Sequence, residues 1–173
     1  MTKKEFLKSV SKEKKDTLQQ LLDLLADLEI NYCVIGGLGV NAYVEPVVSL
    51  DLDIVIVAEA LEDLIKAVKK IFKIERFTHS VNLGTKDSDL RIQIQTDARY
   101  QDFIPRAHTK EVVGYKMKVA SLPDILQGKI WAYSDEKRRK SKRQKDLADI
   151  FRIIEKYPRL KTKIPQTIKD KFI

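Results

Sequence analysis

Two aspartates one residue apart, Asp51 and Asp53, open the apolar run LDLDIVIV, and a pair of glycines, Gly36 and Gly37, closes an earlier run, YCVIGG. Alternate residues of a strand point the same way. A strand here therefore projects both carboxylates from one face, about 7 Å apart along the backbone, while Leu52 and Ile54 pack the other. Two enclosed carboxylates repel each other unless something positive sits between them. A hard divalent cation meets that need: Mg²⁺ takes one or two carboxylates plus substrate phosphates, and a pair of such ions can clamp attacking and leaving oxygens. The glycines fit the same chemistry, because between a strand and a short helix they let backbone N–H groups approach phosphate. Taken singly, the acids read as solvated residues at a loop edge and the glycines as an ordinary turn. Taken in order, they describe a nucleoside triphosphate site held by Mg²⁺.

The elements that must position these residues follow from periodicity. Leu18, Leu21, Leu22, Leu25 and Leu28 recur at helical spacing within 11–29, with Ser11 or Asp16 as the cap. YCVI reads as a buried strand ending in the glycine turn, LGVNAYV as a short helix interrupted by Pro46, and LDLDIVIV as a second strand. Residues 59–72 carry Leu61, Leu64, Ile65, Val68 and Ile71 on one helical stripe. In 88–97, Leu90, Ile92 and Ile94 alternate with Arg91, Gln93 and Gln95, the pattern of a half-exposed strand. EVVGYKMKVA bends around Gly114. SLPD at 121–124 is a helix start, with a capping Ser and an early Pro. Helices over 125–134 and 142–156 follow, the second stopped by Pro158, and a short tail helix begins at Pro165. The expected fold class is α/β: a small mixed β-sheet with flanking helices on one side and a C-terminal helical extension. The division falls near Ala120, with residues 1–120 as the core including an N-terminal helix, and 121–173 packed on it as one structural unit.

Composition narrows the class of molecule. The chain has 173 residues, 43% of them hydrophobic, enough for one cored domain. The opening MTKKEFLKSVSKEKKD has no apolar stretch of the signal-peptide kind, and no run approaches the roughly 20 apolar residues of a membrane span. The single cysteine, Cys33, has no intrachain partner and reads as a small buried hydrophobe. A cytoplasmic location is expected. Net charge is +8, and KRRKSKRQK at 137–145 puts seven basic residues in nine. Lys137, Arg138, Arg139, Lys140, Lys142 and Arg143 are thus the expected contacts to a polyanion such as RNA; the simpler alternative is a solvated helix face.

Together, Ile35-Gly36-Gly37, a gap of thirteen residues and Asp51-Leu52-Asp53 resemble the signature of the DNA polymerase beta superfamily of nucleotidyltransferases. VASLPDILQGKIWAYSDEKRRKSKRQKDLADIFRIIEKYP resembles the C-terminal helical part of small bacterial nucleotidyltransferase-like proteins related to abortive-infection toxins, a type IV toxin–antitoxin subgroup. The resemblance covers 31–158. It implies a sheet of the nucleotidyltransferase type and transfer of a nucleotidyl group from a nucleoside triphosphate to a hydroxyl of RNA or protein. It also implies metal on Asp51 and Asp53 as catalytic carboxylates, phosphate on Gly36, Gly37 and Lys129, and an antitoxin partner. Lys129 and the set Lys145, Asp146 and Asp149 occupy the places of a helix lysine and a basic-acidic helix in that subgroup.

Two departures from the pattern matter. Gly37 carries no hydroxyl to help hold phosphate. The third carboxylate, usually supplied by a neighbouring strand, is missing from the polar face of LRIQIQTD: Asp89 and Asp97 share the parity of Gln93 but lie at the ends, and a glutamine amide is a poor base. If none of the three substitutes, the protein binds nucleotide or RNA without turnover. Other readings stay open. Lys129 contacts triphosphate or sits on the surface; Lys145 and Asp149 form an i,i+4 pair; Asp146 and Asp149 pair with the basic run. Trp131, Tyr100 and Phe103 read as core, and His79 and His108 lack partners at zinc-ligand spacing.

Overall fold

The computed structural model describes residues 2–10 and 16–172. In chain order the helices and strands are α1 (Lys3–Val10), α2 (Thr17–Asp27), β1 (Tyr32–Ile35), α3 (Gly36–Asn41), β2 (Asp51–Ile56), α4 (Leu61–Val68), β3 (Lys73–Arg76), β4 (Ser80–Thr85), β5 (Ser88–Gln95), β6 (His108–Val112), β7 (Tyr115–Val119), α5 (Leu122–Ser134), α6 (Lys140–Lys156) and α7 (Gln166–Lys169). Three 3₁₀ stretches join them, at Ala58–Ala60, Ala98–Arg106 and Pro158–Lys163. The seven strands form one sheet in the order β3-β4-β5-β2-β1-β7-β6. β2 runs parallel to β5 and β1 parallel to β7; the other pairs are antiparallel, so the sheet is mixed and the fold is α/β.

Strand parity divides the sheet into an apolar and a polar side. Val81, Ile94, Ile54, Val34 and Val119 stand in register on neighbouring strands, and all are buried. α2 covers this side with Leu18, Leu21, Leu22 and Leu25, each buried side chain worth roughly 1.5–3 kcal/mol relative to exposure. Asp16 caps α2 by accepting from the Gln19 amide, and it also accepts from the Tyr115 hydroxyl on β7, which orients the helix on the sheet. Ser11, the alternative cap, lies outside the described residues.

Helices cover both sides of the sheet rather than one. The acid-bearing side still has to bury Cys33 and Val55 at its centre, both fully inaccessible. α3 and α5 do this: Gly39 of α3 packs against Ile125 of α5, and Gly128 of α5 against Tyr100 and Phe103. Phe103 stacks on Trp131 at 5.7 Å and Tyr100 meets Trp131 edge-on at 5.2 Å, so these aromatics form a wedge between the 98–106 stretch and α5. Burial pushes the Cys33 thiol up to about 12, which keeps it an inert packing residue.

The helix expected over 59–72 ends at Val68. The following turn points Ile71 into solvent (44% exposed) and Phe72 into the core (4%), so Ile71 leaves the apolar stripe assigned to it. β6 and β7 form the hairpin around Gly114, with Val113 (φ 46°) and Gly114 (φ 87°) both left-handed, as a two-residue turn between twisted strands requires. Ser121 caps α5 by accepting from the Asp124 amide.

Candidate active-site cleft

Gly36 begins α3 where β1 ends, and in the sheet Ile35 lies opposite Asp53. The Asp53 side chain leans over the turn so closely that a Cβ on Gly36 would lie 2.1 Å from its Oδ2, and Gly36 has φ +65°. Only glycine fits on both counts. Gly37 is different. A Cβ there would meet only the Ser49 side chain, with Oγ at 3.5 Å, an ordinary contact. Ser49 therefore places a hydroxyl beside the position where Gly37 lacks one, and it also accepts from the Asp51 amide at 3.3 Å. Its position eight residues after the end of α3 carried no sequence signal.

Asp51 and Asp53 emerge from the same side of β2, as their parity requires, and line one cleft of about 450 Å³ with Gly37, Ser49, Gln93 and Asn82. A smaller recess of about 80 Å³ lies behind it, lined by Gly36, Asp53, Gln93, Gln95 and Tyr100. The two acids are in different electrostatic states. Asp51 Oδ1 is held by Arg91 Nε at 2.7 Å and Oδ2 by Lys142 Nζ at 3.3 Å. Asp53 has no ion pair among the described residues. Burial pushes its carboxyl up to about 6; the negative charge of Asp51 adds to this, while Lys129, Arg138 and Lys142 pull the other way.

The neighbouring strand puts Gln93 directly beside Asp53. Asp89 stands two residues before Arg91, which is the partner of Asp51 at the start of β2, and Asp97 is turned away to cap the 98–106 stretch and hold Arg99 at 2.8 Å. An amide thus occupies the place expected of a third carboxylate. Among the described residues no group of three or more His, Cys, Asp or Glu is arranged to hold a metal. Two carboxylates still suit Mg²⁺, which takes one or two and fills its remaining positions with water and phosphate oxygen. The donors fit such an ion: both are oxygen ligands on one face, and Asp53 makes no direct ion pair among the described residues.

Lys129 is not a surface lysine. It is 8% exposed, and its ammonium donates to Asp146 Oδ1 at 2.9 Å and approaches Asp149 Oδ2 at 2.7 Å. Burial works against its charge, but Asp149 and Asp146 more than offset that and hold the group above its ordinary value. Asp146 also accepts from Arg138 at 2.8 Å, and Asp149 from Arg152 at 2.7 Å. The pair expected between Lys145 and Asp149 is absent because Asp149 turns into the α5–α6 contact, where Lys129 and Arg152 compete for it. Arg152 reaches on to Asn41 Oδ1 and the Glu45 carbonyl, and Asn41 bonds both backbone groups of Val47. The loop over the cleft is fastened through this chain. Val47 and Val48 remain 50% and 59% exposed at its rim.

The basic run does not form one face. Arg138 and Lys142 point into the cleft, and Arg143 donates to the Tyr133 carbonyl with its guanidinium over the Tyr133 ring. Lys137, Arg139, Lys140 and Lys145 stay exposed. The cleft lining holds six cationic side chains (Arg91, Lys129, Arg138, Lys142, Lys145, Arg152) against four acids (Asp51, Asp53, Asp146, Asp149), an excess of two positive charges. A triphosphate with one divalent cation carries about two negative charges. The match is close.

The fold recurs among nucleotidyltransferases. The lincosamide antibiotic adenylyltransferase LnuA in its lincomycin-bound form superposes with a TM-score of 0.57 at 16% identity, over 82% of this chain and 99% of that one. ANT(2")-Ia in complex with adenylyl-2"-tobramycin gives 0.63 at 14%, over 90% and 97%. A putative nucleotidyltransferase from Thermotoga maritima gives 0.55 at 19%, over 79% and 90%. At these identities the likeness is one of fold. No curated protein sequence matches this one. No helix among the described residues is long and apolar enough to cross a membrane. The sequence model described as "Nucleotidyl transferase AbiEii toxin, Type IV TA system" matches residues 21–172, from within α2 to the end of the described chain. With the glycine turn, the paired acids and the buried lysine all inside that span, this chain belongs to the AbiEii nucleotidyltransferase toxin family of type IV toxin–antitoxin systems.

Proposed function

We propose that the cleft binds a nucleoside triphosphate with Mg²⁺ and transfers its nucleotidyl group to a hydroxyl of RNA or protein, in a cytoplasmic toxin–antitoxin setting with an antitoxin as partner. The observation that carries this reading is the convergence of Asp51, Asp53 and the glycine turn on one cleft with two surplus positive charges. Asp51 and Asp53 would hold the ion, which when bound neutralises charge on the phosphoryl oxygens. Backbone N–H groups at Gly36 and Gly37 lie at the phosphate end, and the Ser49 hydroxyl supplies what Gly37 lacks. Lys129 stays charged beside the triphosphate, pinned by Asp146 and Asp149 so that its position is set before substrate arrives. Catalysis in such a site is positioning and charge neutralisation of an in-line displacement.

A second reading is favoured by Gln93: with an amide in the third-carboxylate place, the same cleft binds nucleotide or RNA without turnover. The experiment follows transfer of an α-phosphorus label from each of the four nucleoside triphosphates onto total RNA and total protein, with calorimetry alongside. Mg²⁺-dependent binding lost in Asp51→Asn/Asp53→Asn, together with label on a macromolecule, supports transfer. Binding with no label on any acceptor selects the second reading. Metal-independent binding that survives the double substitution overturns both.

A further inference from the structure

Residues 45–48, the part of the loop over the cleft that precedes Ser49, are all exposed, so core packing does not fix their backbone. Among the described residues, every hydrogen bond they make is to Asn41 or Arg152. Asn41 ends α3 and is 6% exposed. Its Nδ2 donates to the Val47 carbonyl at 2.7 Å, and its Oδ1 accepts from the Val47 amide at 3.1 Å and from the Arg152 guanidinium at 3.2 Å. A side-chain amide carries both the donor and the acceptor that the two backbone groups of one residue need. Arg152 is held in turn by Asp149 at 2.7 Å, the carboxylate that also meets Lys129.

Val47 stands two residues before Ser49, and a chain step of about 3.8 Å per residue leaves little slack between that fixed point and the hydroxyl. Ser49 Oγ lies beside Gly37 and bonds both backbone groups of Asp51, each at 3.3 Å. We propose that Asn41 is the positioning residue for the phosphate end of the cleft. By fixing Val47 it places the Ser49 hydroxyl and the start of β2 for the phosphates of a Mg²⁺-triphosphate, and through Arg152 and Asp149 it ties that segment to Lys129. This rests on the nucleotide reading above. Asn41 is not among the residues lining the cleft, so it acts through Ser49 rather than on the ligand. Its effect is to order an exposed segment before ligand arrives, so that binding does not bear the entropy of ordering it. The recognition it serves is of phosphate and metal, independent of the nucleobase and of the acceptor.

The test titrates the full chain calorimetrically with inorganic tripolyphosphate and Mg²⁺, a probe with neither base nor acceptor. Asn41→Leu removes all three bonds; Asn41→Asp keeps the two acceptor bonds but sets a negative charge against the Val47 carbonyl. Both should bind the probe about tenfold more weakly than the native protein, the factor one hydrogen bond gives, and Ser49→Ala should lose a similar factor. Because Asn41 acts through Ser49, adding Asn41→Leu to Ser49→Ala should cost less than about a further twofold. Hydrogen exchange reads the same link without ligand. In both Asn41 variants the Asp51 amide should exchange at least about tenfold faster relative to the amide of the fully buried Cys33, which reports global opening. A purely structural role lowers the melting temperature and leaves both the affinity and that exchange ratio at native values. Such a result, or losses from Asn41→Leu and Ser49→Ala that simply add, overturns the proposal. Failure of the native protein to bind the probe is instead the failure of the nucleotide reading, and the Asp51 exchange ratio still decides whether Asn41 sets the segment.

Discussion

A methyl group on Gly36 would lie 2.1 Å from the Asp53 carboxylate, so the first residue of the glycine turn and the second acid of the strand share one space. The turn and the acids are a single steric unit. Gly36→Ala should therefore push the Asp53 carboxylate out of the cleft and weaken Mg²⁺-dependent triphosphate binding at least about tenfold, or some 1.4 kcal/mol. Gly37→Ala, which meets only the Ser49 side chain at 3.5 Å or more, should bind like the native protein. Titration calorimetry on both variants checks this, and equal losses would refute the steric unit.

The raised Asp53 carboxyl should make the protein less stable at neutral pH. Its carboxyl is raised from 3.8 to about 6, so the folded state holds the proton more tightly than the unfolded state does. Stability linked to this group is fully present below about pH 4, is lost as pH rises through 6, and stays lost above. At about 1.4 kcal/mol per pH unit, Asp53→Asn should be the more stable protein at pH 7.5 by up to roughly 3 kcal/mol, with a flatter profile between pH 4 and 6. Urea titrations from pH 4 to 7.5 read both the difference and the flattening. A variant less stable than the native chain at pH 7.5 would show that Asp53 has a compensating partner.

Lys129 joins α5 to α6 through Asp146 and Asp149. Lys129→Met removes the cation shared by Asp146 (1% exposed) and Asp149, leaving each with one arginine, Arg138 and Arg152. Removing one member of a buried ionic set typically costs about 3–5 kcal/mol, and a loss of that order is expected in chemical denaturation. Adding Asp149→Asn should restore part of it. If Lys129→Met melts like the native protein, the network is not under the electrostatic load its geometry implies.

The exposed part of the basic run is separable from the cleft. Lys137, Arg139 and Lys140 make no side-chain ion pair among the described residues, whereas Arg138 and Lys142 hold Asp146 and Asp51. Replacing the first three with Gln should reduce the slope of log affinity against log salt for single-stranded RNA by about 2, near 0.7 per lost phosphate contact. Triphosphate binding should be unaffected. A native slope in the triple variant would assign these residues to solvation alone.

Much of the frame was legible because short-range periodicity determines it. The alternation of Leu90, Ile92 and Ile94 with Arg91, Gln93 and Gln95 gave β5 and its polar side, and the one-residue spacing of Asp51 and Asp53 gave their common face. β3 and β4 carry little sequence signal. KIER is a short, largely exposed edge strand, and SVNLGT hides Val81 and Leu83 among polar residues. Asn82 on the acid-bearing side is hidden with β4, although Val81-Asn82-Leu83 does alternate. α1 is masked by its charges, and the 98–106 stretch by its mixed composition. The partners of the acids could not be read either. Arg91 reaches Asp51 from the next strand and Lys142 from 91 residues away, and contacts at such separations depend on how helices settle on a sheet.

The reach from Asp51 to Lys142 also has a temporal side. At about 5–20 residues per second, a ribosome needs roughly 5–20 s to travel from the first acid to the lysine that clasps it. Throughout that interval the growing chain has the strand, the turn and both carboxylates, but nothing to close the other side. A polypeptide interrupted before Lys140–Lys156 would carry the sequence signature of its family and an open groove in place of the cleft. Synthesis through Lys140–Lys156 is thus built into the geometry as a precondition: the later helix supplies the wall against which the earlier acids are set.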